Sequence, residues 1–433
     1  MSGSDKTQAK SSRILLIAPE PFYAERGTPM NVLQMCRALT KGGYSVDLVT
    51  YPMGNPVSLP GLTIHRAWRI PGIKSVPIGF SKRKVLQDVS LCLKILFLYL
   101  RNRYQVIHAV EESVFLALPF TWLGARLVYD LDSLISDQLQ YSEVLGPGFL
   151  LKGVRRMERL ALSRSCAAIS VCQSLTDAAK EYSPLTPIFQ IEDAPLAEFL
   201  RAPDPGRVEQ LRSEFDLNGR PVLVYTGNLE SYQGIDLLVD AIPILRQKFS
   251  NVALAIVGGD RARCDSLRAH LESSGLADNI IVVGRRPSSE MPEWLALADL
   301  LVSPRKQGDN TPLKLFSYMH SGSPIVATNL LTHTQVLDSS TAFLCEPTPE
   351  AFAEALELAL GNPTLAETIS RDALARAEDQ YSLEAFERKM LDAYARIVAG
   401  EIPSDSNPGT VIDARPGPPR TASTLGSRVD EGP

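Results

Sequence analysis

The sequence is short of the features that would announce a metal, a membrane span or a nucleic acid. Its six cysteines, Cys36, Cys92, Cys166, Cys172, Cys264 and Cys345, form no C-x-x-C pair and no regular framework. This spacing predicts neither structural zinc nor a disulfide scaffold, and reduced thiols fit a cytoplasmic setting. Positive charge is not in excess: 44 Lys and Arg stand against 49 Asp and Glu, a formal net charge of -5. No nucleic-acid partner is therefore expected. Long apolar runs are missing too. LCLKILFLYL at 91–100 is short and carries Lys94, and VFLALPFTWLGARLVYDL at 114–131 is broken by Pro119, Gly124 and Arg126. Neither reads as a bilayer span. Residues 1–12 are polar, without a secretory signal, and read as a disordered N-terminus.

What is present is a regular alternation. Short β-branched or aliphatic runs are separated by longer amphipathic segments, the mark of βα units and parallel sheets. With 433 residues, two or three cores are expected. One series predicts strands at 13–18, 45–50, 62–67, 105–110, 126–130, 167–171 and 187–191; a second predicts 221–226, 252–257, 280–284, 299–303, 324–327 and 341–345. Pro203, Pro205 and Gly206 mark a linker between them, at 197–206. The fold class read from this is α/β, with two Rossmann-like doubly wound domains at 13–196 and 207–382 facing across a cleft. A last helix at 383–400 ends at Gly400, a natural C′ residue. Residues 401–433 are rich in Pro, Gly, Ser and charge and read as a disordered tail.

Ligands of such sheets sit beyond the carboxyl ends of the strands, so the βα loops are where chemistry is sought. The stretch PRKQGDNTPLKLFSYMHSGSPIVAT, from Pro304, reads as strand end, Gly-containing loop, helix and strand. Thr311 is placed to cap, Pro312 to open the helix, and Lys314 falls in the first turn. A cation there opposes the helix dipole unless an anion such as a diphosphate lies between them. The alternative is a solvated lysine whose stem packs on the surface. The first βα loop repeats this grammar with Gly27, Thr28 as cap and Pro29. Gly227, Gly258, Gly284 and Gly308 stand at or just after four strand ends of the second series. Together they suit a nucleotide-sized ligand.

These stretches, GNLESYQGIDLLVDAI, LAIVGG, IIVVGR and the segment from Pro304, with RGTPMNVLQMCRALTKGGYSVDLVTY near the start, resemble the retaining, nucleotide-sugar-dependent glycosyltransferases of family 4, with a GT-B fold. The resemblance covers about residues 13–399 and is most specific in the second half. It implies a sugar transfer with retained configuration, with no metal and no cofactor beyond the nucleotide-sugar donor. It also implies that helix 383–400 packs back toward the first domain. By position, Gly284 and Arg285 would lie at the base and Lys314 at the diphosphate. The backbone of Gly308, Asp309, Asn310, Thr311 and Leu313 would meet the donor sugar, and Gly27 and Thr28 would face the diphosphate from the other domain.

The chain departs from the family's pattern at three places. Asn228 and Gln233 stand where Arg and Lys are usual, around Gly227 and Gly234, and Arg305, with Lys306 behind it, is the available replacement. Asp309 and Ser317 replace the usual Glu-x7-Glu pair, so a hydroxyl stands in for the ribose-binding carboxylate. Near the usual catalytic-region His the chain has YDLDSLISDQL, with Asp130 and Asp132. The catalytic set read from the sequence is Lys314, Arg305, Asp309 and Asp132, with His108, Glu111 and Glu112 as further acceptor candidates or helix caps. The donor is expected to be a UDP-sugar and the acceptor a glycan or lipid-linked molecule of envelope or extracellular polysaccharide synthesis. A non-catalytic nucleotide-sugar-binding relative and a GT-B sugar-nucleotide epimerase are the alternatives; a glycosidase with paired acids fits the glycine loops poorly. Segment 81–103 mixes Lys82, Arg83, Lys84, Lys94, Arg101 and Arg103 with apolar residues. It suits either a core helix or peripheral contact with an anionic membrane, at the inner face of the plasma membrane.

Overall fold

The computed structural model describes residues 12–24, 27–73, 82–141 and 148–401. The expectations for residues 1–11, for Arg26, for Ser81 and for the tail beyond 401 lie outside these.

Strands β1 Arg13–Ala18, β2 Ser45–Thr50, β3 Leu62–Arg66, β4 Val106–Val110, β5 Leu127–Leu131, β6 Ala167–Ser170 and β7 Ile188–Gln190 form one sheet in the order β3-β2-β1-β4-β5-β6-β7. Strands β8 Val222–Thr226, β9 Ala253–Val257, β10 Ile280–Gly284, β11 Leu300–Ser303, β12 Ile325–Thr328 and β13 Phe343–Cys345 form the other, in the order β10-β9-β8-β11-β12-β13. Every pairing in both sheets is parallel. All thirteen predicted strands are present. Their signal was strong because a parallel sheet covered on both faces buries consecutive residues, as in β1, where Ile14 to Ala18 are wholly buried.

Each sheet reverses its strand order beside its first strand, between β1 and β4 and between β8 and β11. A crevice opens at such a switch point. The loops after β8 and β11 are those after Thr226 and Ser303, which hold most of the candidate residues. Helix Leu383–Ala399 ends at Gly400, with φ 76°, and buries Phe386, Met390, Tyr394 and Ile397 in the same core as Ile14, Leu16 and Leu39. Arg126 of the first domain donates to the carbonyls of Ile397 and Val398 near its end.

Candidate active site

After β8 the chain turns at Gly227, with φ 144°, passes through the short 3-10 turn Ser231–Gln233 and enters helix Ile235–Leu245 from Gly234. After β11 it runs through Pro304 and a loop into helix Lys314–Ser321. These two loops meet. Lys314 Nζ donates to Gln233 Oε1 at 3.1 Å and lies 3.9 Å from the centre of the Tyr225 ring. A Cβ on Gly227 would stand 3.2 Å from the same nitrogen. Arg305, only 6% exposed, donates from Nη1 to the Asn310 carbonyl at 2.8 Å and to Thr332 Oγ1 at 2.6 Å. Its guanidinium lies 5.2 Å from the Tyr232 ring centre.

Among the described residues no carboxylate is paired with Lys314, whereas the charge of Asp309 acts on Arg305. Burial, and then the neighbouring charge of Arg305, hold the Lys314 amine well below the usual lysine value. Burial lowers Arg305 as well. In the loop after β11 and the helix it enters, three buried polar atoms make no hydrogen bond: Arg305 Nε, Thr311 Oγ1 and Ser317 Oγ. Buried polar groups are nearly always satisfied, so this arrangement asks for an anion that also accepts hydrogen bonds. Aromatic rings under the cations help hold them in place without neutralising them.

Two local expectations are corrected. Thr311 is not the N-cap: Leu313 precedes the helix in α conformation, no side chain caps it, and Thr311 Oγ1 is unpartnered. The loop is pinned instead from outside, by Arg305 and Thr332 on the Asn310 carbonyl and by Gln335 on that of Asp309. Thr28 is not a cap either, because its helix, Gly27–Lys41, already starts one residue before it. Pro29 is tolerated there because first-turn N–H groups lack intrahelical partners.

The other candidates divide. Gln233 is in the pocket, at Lys314. Asn228 closes its own turn, its Oδ1 accepting from the Glu230 N–H and its carbonyl from Tyr225 Oη. Gly258 serves packing: a Cβ there would lie 2.0 Å from the Gly227 carbonyl oxygen. Gly308 brings its backbone against the Arg305 guanidinium, where a Cβ would stand 3.3 Å from Cζ. Gly284 ends β10 and Arg285 beyond it is exposed. Lys306 is occupied by an ion pair with Asp236 at 2.5 Å. Leu313 packs at the edge of the second domain's core.

Asp132 lies with a second group, in the first domain. Its Oδ1 accepts from Asn31 Nδ2 at 3.2 Å. Burial, and then the charges of Asp130 and Glu111, raise its pKa well above the carboxylate range. For the same reasons of burial and neighbouring carboxylates, Glu111 and Asp193 are pushed up to about 7. Such acids hold protons near neutrality and can donate to hydroxyl groups. Two of the sequence candidates are structural instead. Buried His108 joins Asp130, at 3.2 Å, to Tyr394, at 2.6 Å, and Glu112 pairs with Lys84.

The domains meet at Asp309. Its carbonyl accepts from Ser174 Oγ of the first domain at 2.7 Å and from Gln335 Nε2 of the second at 2.8 Å, while Gln335 Oε1 accepts from the Ser174 N–H at 2.9 Å. Sequence reasoning missed Ser174, Gln335 and Thr332, for which no local signal exists, and Tyr225, whose place just before a strand-end glycine was a usable one.

Residues 220–362 match the family described as Glycosyl transferases group 1. The chain is 23% identical over 245 residues to an alpha-D-kanosaminyltransferase of Streptomyces kanamyceticus, covering 55% of this chain and 63%, under two thirds, of that protein. It is 21% identical over 328 residues to a phosphatidyl-myo-inositol mannosyltransferase of Propionibacterium freudenreichii, covering 75% of this chain and 79% of the relative. Among solved structures, a sucrose-phosphate synthase of Thermosynechococcus elongatus superposes with a TM-score of 0.72 at 19% identity, over 90% of this chain and all of that one. At that identity the likeness concerns the fold.

Proposed function

We propose that this chain is a group 1 glycosyltransferase with the GT-B fold, and that it transfers a sugar from a nucleoside diphosphate donor, UDP-linked, to a glycan or lipid-linked acceptor with retained configuration. The observation that carries the donor site is Lys314: an amine sunk between Gln233 and Tyr225, beside Arg305, with no carboxylate paired to it among the described residues. A diphosphate supplies that pairing, and its oxygens suit the unpartnered Thr311 Oγ1 and Arg305 Nε. As the glycosidic bond breaks, charge accumulates on the departing diphosphate, where fixed cations lower the barrier. With this role filled by side chains, the transfer needs no metal. Asp309 carries the acid beside the donor sugar. Asp132 and its protonated neighbours take the acceptor hydroxyls. One relative is named a phosphatidyl-myo-inositol mannosyltransferase, which supports a lipid-linked acceptor here; the setting we propose is envelope or extracellular polysaccharide synthesis.

The test is release of nucleoside diphosphate by the purified protein from UDP- and GDP-sugars, without and with acceptor. The wild type is expected to hydrolyse its donor slowly, and Lys314→Ala to lower turnover about 10²-fold or more. Unchanged turnover in that variant would remove Lys314 from the site. Donor binding without release would mark a non-catalytic relative, and a new sugar nucleotide would mark an epimerase.

A further inference from the structure

Helix Lys82–Arg101 is apolar on two sides. Leu91, Ile95 and Leu98 are buried in the first domain's core, as a surface helix requires. Yet Leu86, Val89, Leu93, Phe97 and Leu100, which recur at three- and four-residue steps and so share one stripe, are 53%, 56%, 53%, 47% and 73% exposed. A helix facing only water would be polar there.

The surroundings of the stripe say what covers it. Arg83, Lys94 and Arg101 lie three and then two turns apart, a row of cations along one flank. Lys94 Nζ lies 5.4 Å from the Trp68 ring centre and 5.8 Å from that of Phe97. The helix has one acidic residue, Asp88, and that is turned inward to the Tyr51 hydroxyl. Two of the chain's three tryptophans stand in solvent on this side, Trp68 at 51% and Trp122 at 58% exposure. Trp68 is tied to the helix through its carbonyl, which accepts from Ser90 Oγ at 3.0 Å. Trp122 follows Phe120, whose ring packs on Tyr99 of the helix at 4.7 Å, and Arg164 lies 5.4 Å over the Trp122 ring. A large apolar stripe edged by cations and half-exposed tryptophans is the composition of a surface that beds into an anionic lipid headgroup layer.

We infer that this face, helix Lys82–Arg101 with Trp68 and the turn around Trp122, docks on an anionic bilayer. The stripe enters the headgroup boundary, the tryptophans sit at its level and the cation row meets lipid phosphates. No helix among the described residues is long and apolar enough to cross a membrane. The ion pair of Lys84 with Glu112, just beyond β4, sets the first turn of this helix beside the candidate acceptor carboxylates. Docking would therefore hold that side of the cleft near the lipid. The surface stands independently of sugar transfer.

Co-sedimentation of the full chain with vesicles of phosphatidylglycerol and phosphatidylcholine, or of phosphatidylcholine alone, tests it. The wild type is expected to bind the anionic vesicles at least about tenfold better, with the advantage falling as salt rises. The double variant Leu93→Glu, Phe97→Glu and the triple variant Arg83→Glu, Lys94→Glu, Arg101→Glu should each lose about tenfold or more while melting like the wild type. Quenching of tryptophan emission by brominated anionic lipid gives a readout on the unaltered protein. Absence of anionic-vesicle binding, variants that bind as the wild type does, or a wild-type dimer that the double variant splits while no vesicle binding is seen would each overturn the proposal. The last would assign the stripe to a second copy of the chain.

Discussion

At the scale of single residues, the pocket holds Lys314 in a state that a donor should change. Burial and Arg305 lower its pKa, whereas a bound diphosphate would raise it again. Between those two values the complex carries more protons than the free protein. Binding should then take up protons, and affinity should fall as pH rises through that window. Calorimetry in two buffers of different ionisation enthalpy, at mildly alkaline pH where the diphosphate is already fully ionised, measures this uptake directly. Lys314→Met should abolish it; an unchanged buffer dependence in that variant would place the titrating group elsewhere. Ser317 offers a second residue-scale prediction with opposed signs. Its buried hydroxyl has no partner, so Ser317→Ala should leave the ligand-free protein as stable or more stable by about 1 kcal/mol. If that hydroxyl takes over the ribose contact, the same change should weaken donor binding about five- to tenfold, as titrated with the nucleoside diphosphate.

At the scale of elements, the strand-end glycines separate into two kinds that the sequence could not distinguish. Gly258, with φ 127°, has the Gly227 carbonyl oxygen 2.0 Å from where a Cβ would stand, whereas Gly284, with φ 82°, has nothing nearer than the Arg268 side chain at 3.7 Å. Gly258→Ala should therefore cost more than about 2 kcal/mol, from clash and backbone strain together. Gly284→Ala should cost about 1 kcal/mol from strain alone. Urea midpoints of the two variants check this; equal losses would mean that the β8 and β9 turns are not in backbone contact. The contrast explains what was legible. Thirteen strands could be read because buried parallel strands leave continuous apolar runs, and Lys314 because a cation in a first helical turn is anomalous. The caps at Thr28 and Thr311 were misread because capping is a local preference, and at Thr311 the tertiary bonds from Arg305, Thr332 and Gln335 fix the loop without it. Tyr225 beneath Lys314, and Gln335 against Asp309, belong to contacts between distant loops, which leave no periodic trace.

At the scale of the whole molecule, the chain passes between the domains twice among the described residues, once ahead of helix Pro205–Glu214 and once where helix Pro363–Gln380 gives way to helix Leu383–Ala399, which lies in the first domain's core. Such a pair of crossings leaves relative motion of the domains to whatever bonds bridge the cleft. The bridge through Asp309 is one of these, and it acts on the loop assigned to the donor sugar rather than on Lys314, whose partners Gln233 and Tyr225 both belong to the second domain. Ser174→Ala with Gln335→Ala should therefore leave affinity for the nucleoside diphosphate nearly unchanged while lowering turnover about tenfold or more, since the loop and the acceptor side lose their fixed relation. Parallel measurement of the nucleoside diphosphate dissociation constant and of kcat separates the two effects. A variant that loses affinity and turnover in equal measure would show that the bridge supports the diphosphate pocket itself, and the cleft would then have to be read as one rigid site rather than two halves brought into register.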